Sequence, residues 1–296
     1  MDIRAEPKVS NLSGKVDPIM LAVAAPPGRV AVWLIGFAAL AGWIWIAMAV
    51  AAMAPSTDMA TLGPGMGIFN QFNLFAGLPE SVRAGLSVLC SPIGGVKLTG
   101  ADIATVFAMW VAMVLAMMLP AASPMLIAYT SAEEGGHVVS SLWPLAGYLA
   151  VWLVFAIAAT GAQVLLTAAG KMTPAMTPAN LILAATTLIG AGIYQFTPLK
   201  VACLARCRMP PPHFGDLSPS VGRAFRDGLR RGQWSVGCSW ALMSVMFAVG
   251  VMNVVWIVIL GVIMAVEKAI PSSLTPRFVG VGLIVWGVAI LLTVAV

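Results

Sequence analysis

The stretch AMWVAMVLAMMLPAASPM, residues 108–125, decides how the chain folds. It carries no charge and has no polar side chain before Ser123. A helix that is apolar all round does not sit on the surface of a soluble domain. Extended over 102–128, it has the roughly 20 residues needed to cross a hydrocarbon core about 30 Å thick. Pro120 and Pro124 should kink its end. Five further stretches read the same way: 30–54, 142–166, 180–196, 234–266 and 278–296. The expected fold class is therefore all-α, a polytopic transmembrane helix bundle of about six spans forming one domain over 30–296. Its principal partner would be the lipid bilayer.

The composition agrees. Hydrophobic residues make up 60% of the 296 and charged residues only 9%, against about one quarter charged in soluble domains. Mean hydropathy is +0.96. The stretch 234–266 is overlong: at about 1.5 Å per residue it would reach roughly 50 Å. It reads as one tilted or protruding helix, because a split at Gly250 leaves two short spans with no polar turn between them. A broken pair, giving seven spans, is the alternative. The run 30–54 is too long for the apolar region of a signal peptide and reads as a retained first span.

The net charge of +5 comes mainly from two places, which argues for topology rather than nucleic acid. Arg4, Lys8 and Lys15 lie in the tail 1–29; Lys200, Arg206, Arg208, Arg223, Arg226, Arg230 and Arg231 lie in the loop 197–233. Basic residues favour the cytoplasmic side. With both regions cytoplasmic, the loop 55–101 is external and a sixth span returns the C-terminus to the cytoplasm. A bacterial inner membrane is the expected location. In the external loop, Phe69, Phe72, Phe75 and the run Pro79 to Cys90 suggest segments along the membrane surface, as a lid or a docking surface.

Soft donors recur at helical spacing. Met109, Met113 and Met117 fall every four residues and so share a slowly drifting face. If 234–266 is one helix, Met246, Asn253, Met264 and Glu267 share an arc of roughly 60°, with Gly250 beside it. Polar residues within spans are costly toward lipid, so this face should point inward. Thr197-Pro198 reads as an N-cap followed by a first-turn proline, and Pro210-Pro211-Pro212 ends that helix. Cys203 and Cys207 then share a face, their basic neighbours Lys200, Arg206 and Arg208 favour thiolate, and Cys238 falls on the same side with Met209 nearby. Thioethers and thiolates are soft ligands that suit Cu(I), and thiolates also bind Zn(II).

Enzyme signatures are absent: there is no phosphate-binding glycine loop, metalloprotease helix or nucleophile elbow. Glu133, Glu134 and His137 read as a solvated loop. A non-enzymatic role is expected.

Four segments, AMMLPAASPM (116–125), YQFTPLKVACLARCRMP (194–210), GCSWALMSVMFAVGVMNVVW (237–256) and VEKAIP (266–271), together resemble an uncharacterised bacterial family of predicted metal-binding integral membrane proteins. The resemblance covers most of the chain from about residue 100. It implies metal binding without naming the metal. The family often carries a cysteine pair before the position of Trp240; here Cys238 is followed by Ser239.

The expected function is to bind or hand on a soft metal ion, Cu(I) above all. Its ligands would be Met113, Met117, Met246 and Met264 inside the bundle and Cys203, Cys207 and Cys238 at the cytoplasmic mouth. Asn253 and Glu267 would give polar support or a proton route. The rival is a structural or assembly subunit of a larger membrane complex that binds no metal. A thiol oxidoreductase is a third reading.

Overall fold

The computed structural model describes residues 26–53, 58–72, 99–123, 138–173, 176–209 and 220–295. Most of the 1–29 tail, Phe75, the 79–90 run, Pro124, Met125, Glu133, Glu134, His137 and Pro210 to Pro212 lie outside them. The described residues form helices and turns, with a lone bridge between Met172 and Pro178 and no strand. In chain order the helices are α1 (Pro26–Met53), α2 (Ile68–Phe72), α3 (Gly100–Met113), α4 (Val138–Ala168), α5 (Leu181–Tyr194), α6 (Pro198–Arg208), α7 (Val221–Ser244), α8 (Met246–Val249), α9 (Val254–Ala269) and α10 (Leu274–Ala295). The all-α bundle is as expected.

Four segments are long and apolar enough to cross a membrane: Val32–Ala52, Gly100–Met118, Leu142–Ala168 and Leu274–Val294. A fifth is added if α5 and α6, bent by 64° at their junction, count as one broken span. The start of α3 is set by a capping box, in which Thr99 and Asp102 each satisfy the other's backbone N–H. Its end is a π turn, Val114–Met118, with Leu119 N–H donating to Val114 O. Pro120 follows directly. Lacking an N–H, it cannot continue the α-helical ladder, and π turns of this kind often mark functional positions.

Residues 234–266 are not one helix. Gly250, at φ +99°, interrupts it, and α9 begins only after Asn253. The chain also reverses there: Lys268 Nζ lies 3.0 Å from Ser235 Oγ, and Lys200 bridges Cys238 O and Glu267. Residues 235–238 and 267–268 are thus side by side, and α7–α8 and α9 form an antiparallel hairpin. The break at Gly250 that the alternative supposed is present, but neither half is among the segments long and apolar enough to span.

The missing polar turn has a physical explanation. Val251 N–H donates to Met176 O at 3.0 Å, and Asn253 Nδ2 donates to Pro64 O at 3.0 Å and Val249 O at 3.2 Å. The turn is satisfied by two neighbouring loops instead of by water, so it needs few polar side chains of its own.

The loop after α1 is one of those neighbours. Asp58 caps its first turn, with the Ala60 N–H and then Asn70 holding the Asp58 carboxyl below the usual carboxylate range. Met59, Leu62 and Met66 then insert fully into the core. The described residues 58–72 pack over this end of the bundle, with Pro64 O accepting from Asn253 Nδ2.

The opposite end is closed by helix–helix contact. A Cβ on Gly228 of α7 would stand 2.1 Å from Pro144 O, and one on Gly147 of α4 would stand 2.2 Å from Phe225 O. Only glycine permits this approach, the small-residue packing typical of helices in lipid. The described part of the basic region 197–233 is therefore largely helical, with the start of α7 packed against α4 and α6 packed against α7 and α9. Helix α10 runs antiparallel to α5, with Gly280 by Gly192 and Gly287 by Ala185. Its C-terminal end consequently lies at the Gly250 end, opposite Lys200. This corrects the expectation, drawn from an even number of spans, that the C-terminus returns to the side of the basic loop.

Candidate functional site

At the end away from Gly250, α6, α7 and α9 bring together residues that the sequence scatters over 70 positions. Thr197 caps α6 by accepting from Lys200 N–H, with Pro198 in its first turn, as the sequence predicts. One turn of helix then puts Cys203 and Cys207 on the same inward face. Cys203, Cys207 and Cys238 form one buried cluster with Leu204, and Trp234 packs against it. Cys207 Sγ and Cys238 Sγ are 3.6 Å apart, and all three thiols are free. Cys203 lies against Gly237, where a Cβ would come within 2.6 Å of its sulfur. Arg206 stacks over Trp234 at 4.3 Å and closes the solvent side.

Around the thiols is a buried polar shell. Lys200 Nζ donates to Glu267 Oε2 at 2.6 Å and to Cys238 O at 2.5 Å. The two side chains of this ion pair are 1% and 2% exposed, and Glu267 Oε1 has no hydrogen-bond partner among the described residues. Lys268 Nζ donates to Ser235 Oγ and lies 3.5 Å from Met118 Sδ. Tyr148 OH donates to Met118 O at 2.9 Å and stands 3.0 Å from Ser235 Oγ. Arg208 holds Glu267 O and Ile270 O, and Arg231 holds Met209 O. Cations thus crowd a site whose neutral thiols can become anions.

The sequence-predicted residues divide between two places. The three cysteines meet, with Glu267 beside them. Met113, Met117, Met246 and Met264 are all buried, but in the main core and not in the thiol cluster. Met117 rests against Gly261, one turn before Met264, and the Trp110–Phe247 ring contact sets the turn of Met113 beside that of Met246. The shared arc of Met246, Asn253, Met264 and Glu267 does not survive the break at Gly250. Asn253 caps α9, accepting from Trp256 N–H, at one end of the hairpin while Glu267 lies at the other. With its amide donating to Pro64 O and Val249 O, Asn253 has a structural task.

Sequence reasoning missed Tyr148, Ser235 and Met118, and placed Lys200 in the basic loop beside the thiols without seeing it as the buried partner of Glu267. A lysine in a basic stretch gives no sign of burial; the signal was Glu267, a carboxylate that needed a partner. Among the described residues, no three His, Cys, Asp or Glu side chains form a ready-made metal cage. The Cys207–Cys238 spacing nevertheless suits two thiolates on one ion, which stand ~3.8 Å apart at a metal–sulfur distance of about 2.3 Å in tetrahedral geometry.

Fold and site define a polytopic helix bundle with a buried, cation-lined thiol cluster. The family model described as PpoB2, a copper chaperone, matches residues 107–290, and the chain belongs to this family. No curated protein and no solved structure matches the chain. The family fits the expectation of copper handling, and its matched region contains α6, α7 and α9, the three helices that carry the thiols.

Proposed function

We propose that this protein lies in the bacterial inner membrane and carries Cu(I) as cargo, received and released at Cys203, Cys207 and Cys238. The observation that carries the reading is the 3.6 Å approach of Cys207 and Cys238 inside a cluster lined by Lys200, Lys268 and Arg231. Soft thiolates suit Cu(I). Ligation releases protons, and Glu267 Oε1, buried with no partner among the described residues, is an acceptor within the same shell. The buried cations offset the thiolate charge that would otherwise be costly in a dry interior.

Cu(I) meets the thiols at the end of the bundle that carries the basic helices. The basic tail and α6–α7 face the cytoplasm by the positive-inside rule, which places the Gly250 end outside. Met117 and Met264, on facing turns of the π segment and α9, lie between the two ends as soft donors along the path, with Met113 and Met246 nearer the outer side.

The test is anaerobic Cu(I) loading of the full chain in detergent. The wild type is expected to bind Cu(I) with sulfur ligation, and Cys203→Ser/Cys207→Ser/Cys238→Ser to lose at least one equivalent. Equal stoichiometry and affinity in the two proteins would sink the thiol assignment. Reporter fusions at residue 215 and at the C-terminus test the topology, with opposite sides expected.

A further inference from the structure

Three segments far apart in sequence meet at the Gly250 turn: the loop after α1, the loop after α4, and the turn itself. Their meeting is fixed by backbone contacts, Val251 N–H to Met176 O and Asn253 Nδ2 to Pro64 O. It is also fixed by the absence of a side chain on Gly250, whose Cβ would stand 2.3 Å from Leu62 O and 3.0 Å from Thr177 Cγ2. Each segment contributes buried methionines: Met59 and Met66, Met172 and Met176, and Met252 with Met246 on the short helix before the Gly250 break.

One of these residues is held in a costly conformation. Met176 has φ +58°, among the described residues the one non-glycine with positive φ. A residue of this kind persists where the surroundings over-determine it, and such strain gathers at functional sites and ligand clamps. Here it turns a thioether into the core, where Met176 is 5% exposed. An open depression of about 910 Å³, lined by Ala60, Gly63, Pro64, Gly65, Gly67 and Ile68, lies on the outside of the same loop, with no methionine in its lining. The polar side chains seen at the turn are already engaged: Asn253 with Pro64 O, Val249 O and the Trp256 N–H, and Thr177 with Thr173. Packing alone is served by any of the aliphatic side chains; thioethers also bind soft monovalent ions.

We infer that the Gly250 turn is a second, thiol-free Cu(I) site, a methionine pocket where the ion is taken up before it reaches the cysteines. This inference rests on the copper reading above. The nearest carboxylate in these segments, Asp58, is exposed and held by the Ala60 N–H and Asn70, so the buried methionines select a soft monovalent ion over Zn(II) or Mg(II).

The full chain in detergent is titrated with Cu(I) at free concentrations set by bicinchoninate. The thiol-free variant Cys203→Ser/Cys207→Ser/Cys238→Ser is expected to retain one Cu(I) with sulfur neighbours by X-ray absorption. Adding Met66→Leu and Met252→Leu, which nearly conserve volume, is expected to weaken this binding at least tenfold. If the wild type binds Cu(I) but the thiol-free variant binds none, the methionine pocket fails and the thiol site stands. If the wild type binds none, both fail. Nitrogen or oxygen neighbours alone in the thiol-free variant would also overturn the pocket, and that measurement needs no methionine substitution to fold.

Discussion

The two ends of the bundle keep a dry interior satisfied in opposite ways. At the thiol end, charged side chains carry the load. Lys200, Glu267, Lys268 and Arg208 tie α6, α7 and α9 together through bonds that span up to 67 positions of sequence. At the Gly250 end, backbone groups and one asparagine do this work, with methionines filling the space between. The first is a fixed electrostatic frame whose geometry changes little without breaking an ion pair. The second is held by a few hydrogen bonds and padded with adaptable thioethers.

The largest expected effect comes from breaking the frame. Glu267→Ala leaves Lys200 charged and 1% exposed with only Cys238 O as a partner. Removing one member of a buried pair costs about 3–5 kcal/mol. Lys200→Met/Glu267→Leu removes both charges and should recover most of that loss. Thermal unfolding in detergent measures the difference. Equal destabilisation in the single and double variants would show that the pair is not what holds α6 to α9.

At the other end, Gly250→Ala should cost about 2 kcal/mol or more. The Cβ meets Leu62 O, and a φ of +99° strains any L side chain. Asn253→Ala should cost about 1 kcal/mol through loss of the α9 cap. It also frees Pro64 O, so the 58–67 loop should exchange its amides faster, as seen by hydrogen exchange. Asn253→Asp keeps the cap but not the donation to Pro64 O; its cap should hold while the loop still loosens. A loop unchanged in both variants would mean that Met59, Leu62 and Met66 anchor it alone.

The contrast also explains what the sequence could reveal. Apolar length made the helical bundle visible, since a run such as 108–119 has no other stable home. The thiol site was half visible: Thr197-Pro198 fixed where α6 starts, and with it the shared face of Cys203 and Cys207. The Gly250 hairpin was hidden because its turn is made polar by other loops. Nothing in residues 250–253 discloses that Pro64 and Met176 will supply their partners. The methionine face read across 246–267 was an artefact of assuming a continuous helix, and the methionines that do gather, Met59, Met66, Met172, Met176 and Met252, sit in loops where no period exists. Tyr148 escaped for a similar reason, because a tyrosine in an apolar helix reads as packing until Ser235 and the Met118 carbonyl are seen beside its hydroxyl.

The smallest stability effect belongs to the substitution with the most to say about function. Cys207→Ser removes a sulfur and leaves a hydroxyl of similar shape facing Cys238, 3.6 Å away in the parent. A buried hydroxyl that keeps a partner costs little, and stability should stay within about 1 kcal/mol of wild type. Cu(I) affinity should nevertheless fall at least tenfold, because a serine oxygen is a hard donor to a soft ion. Glu267→Ala damages the frame and lowers stability and copper binding together, so it cannot separate the two. Cys207→Ser separates them: stability kept and affinity lost would place the function in the sulfur pair, while affinity kept would leave the thiol cluster as core packing inside an electrostatic frame.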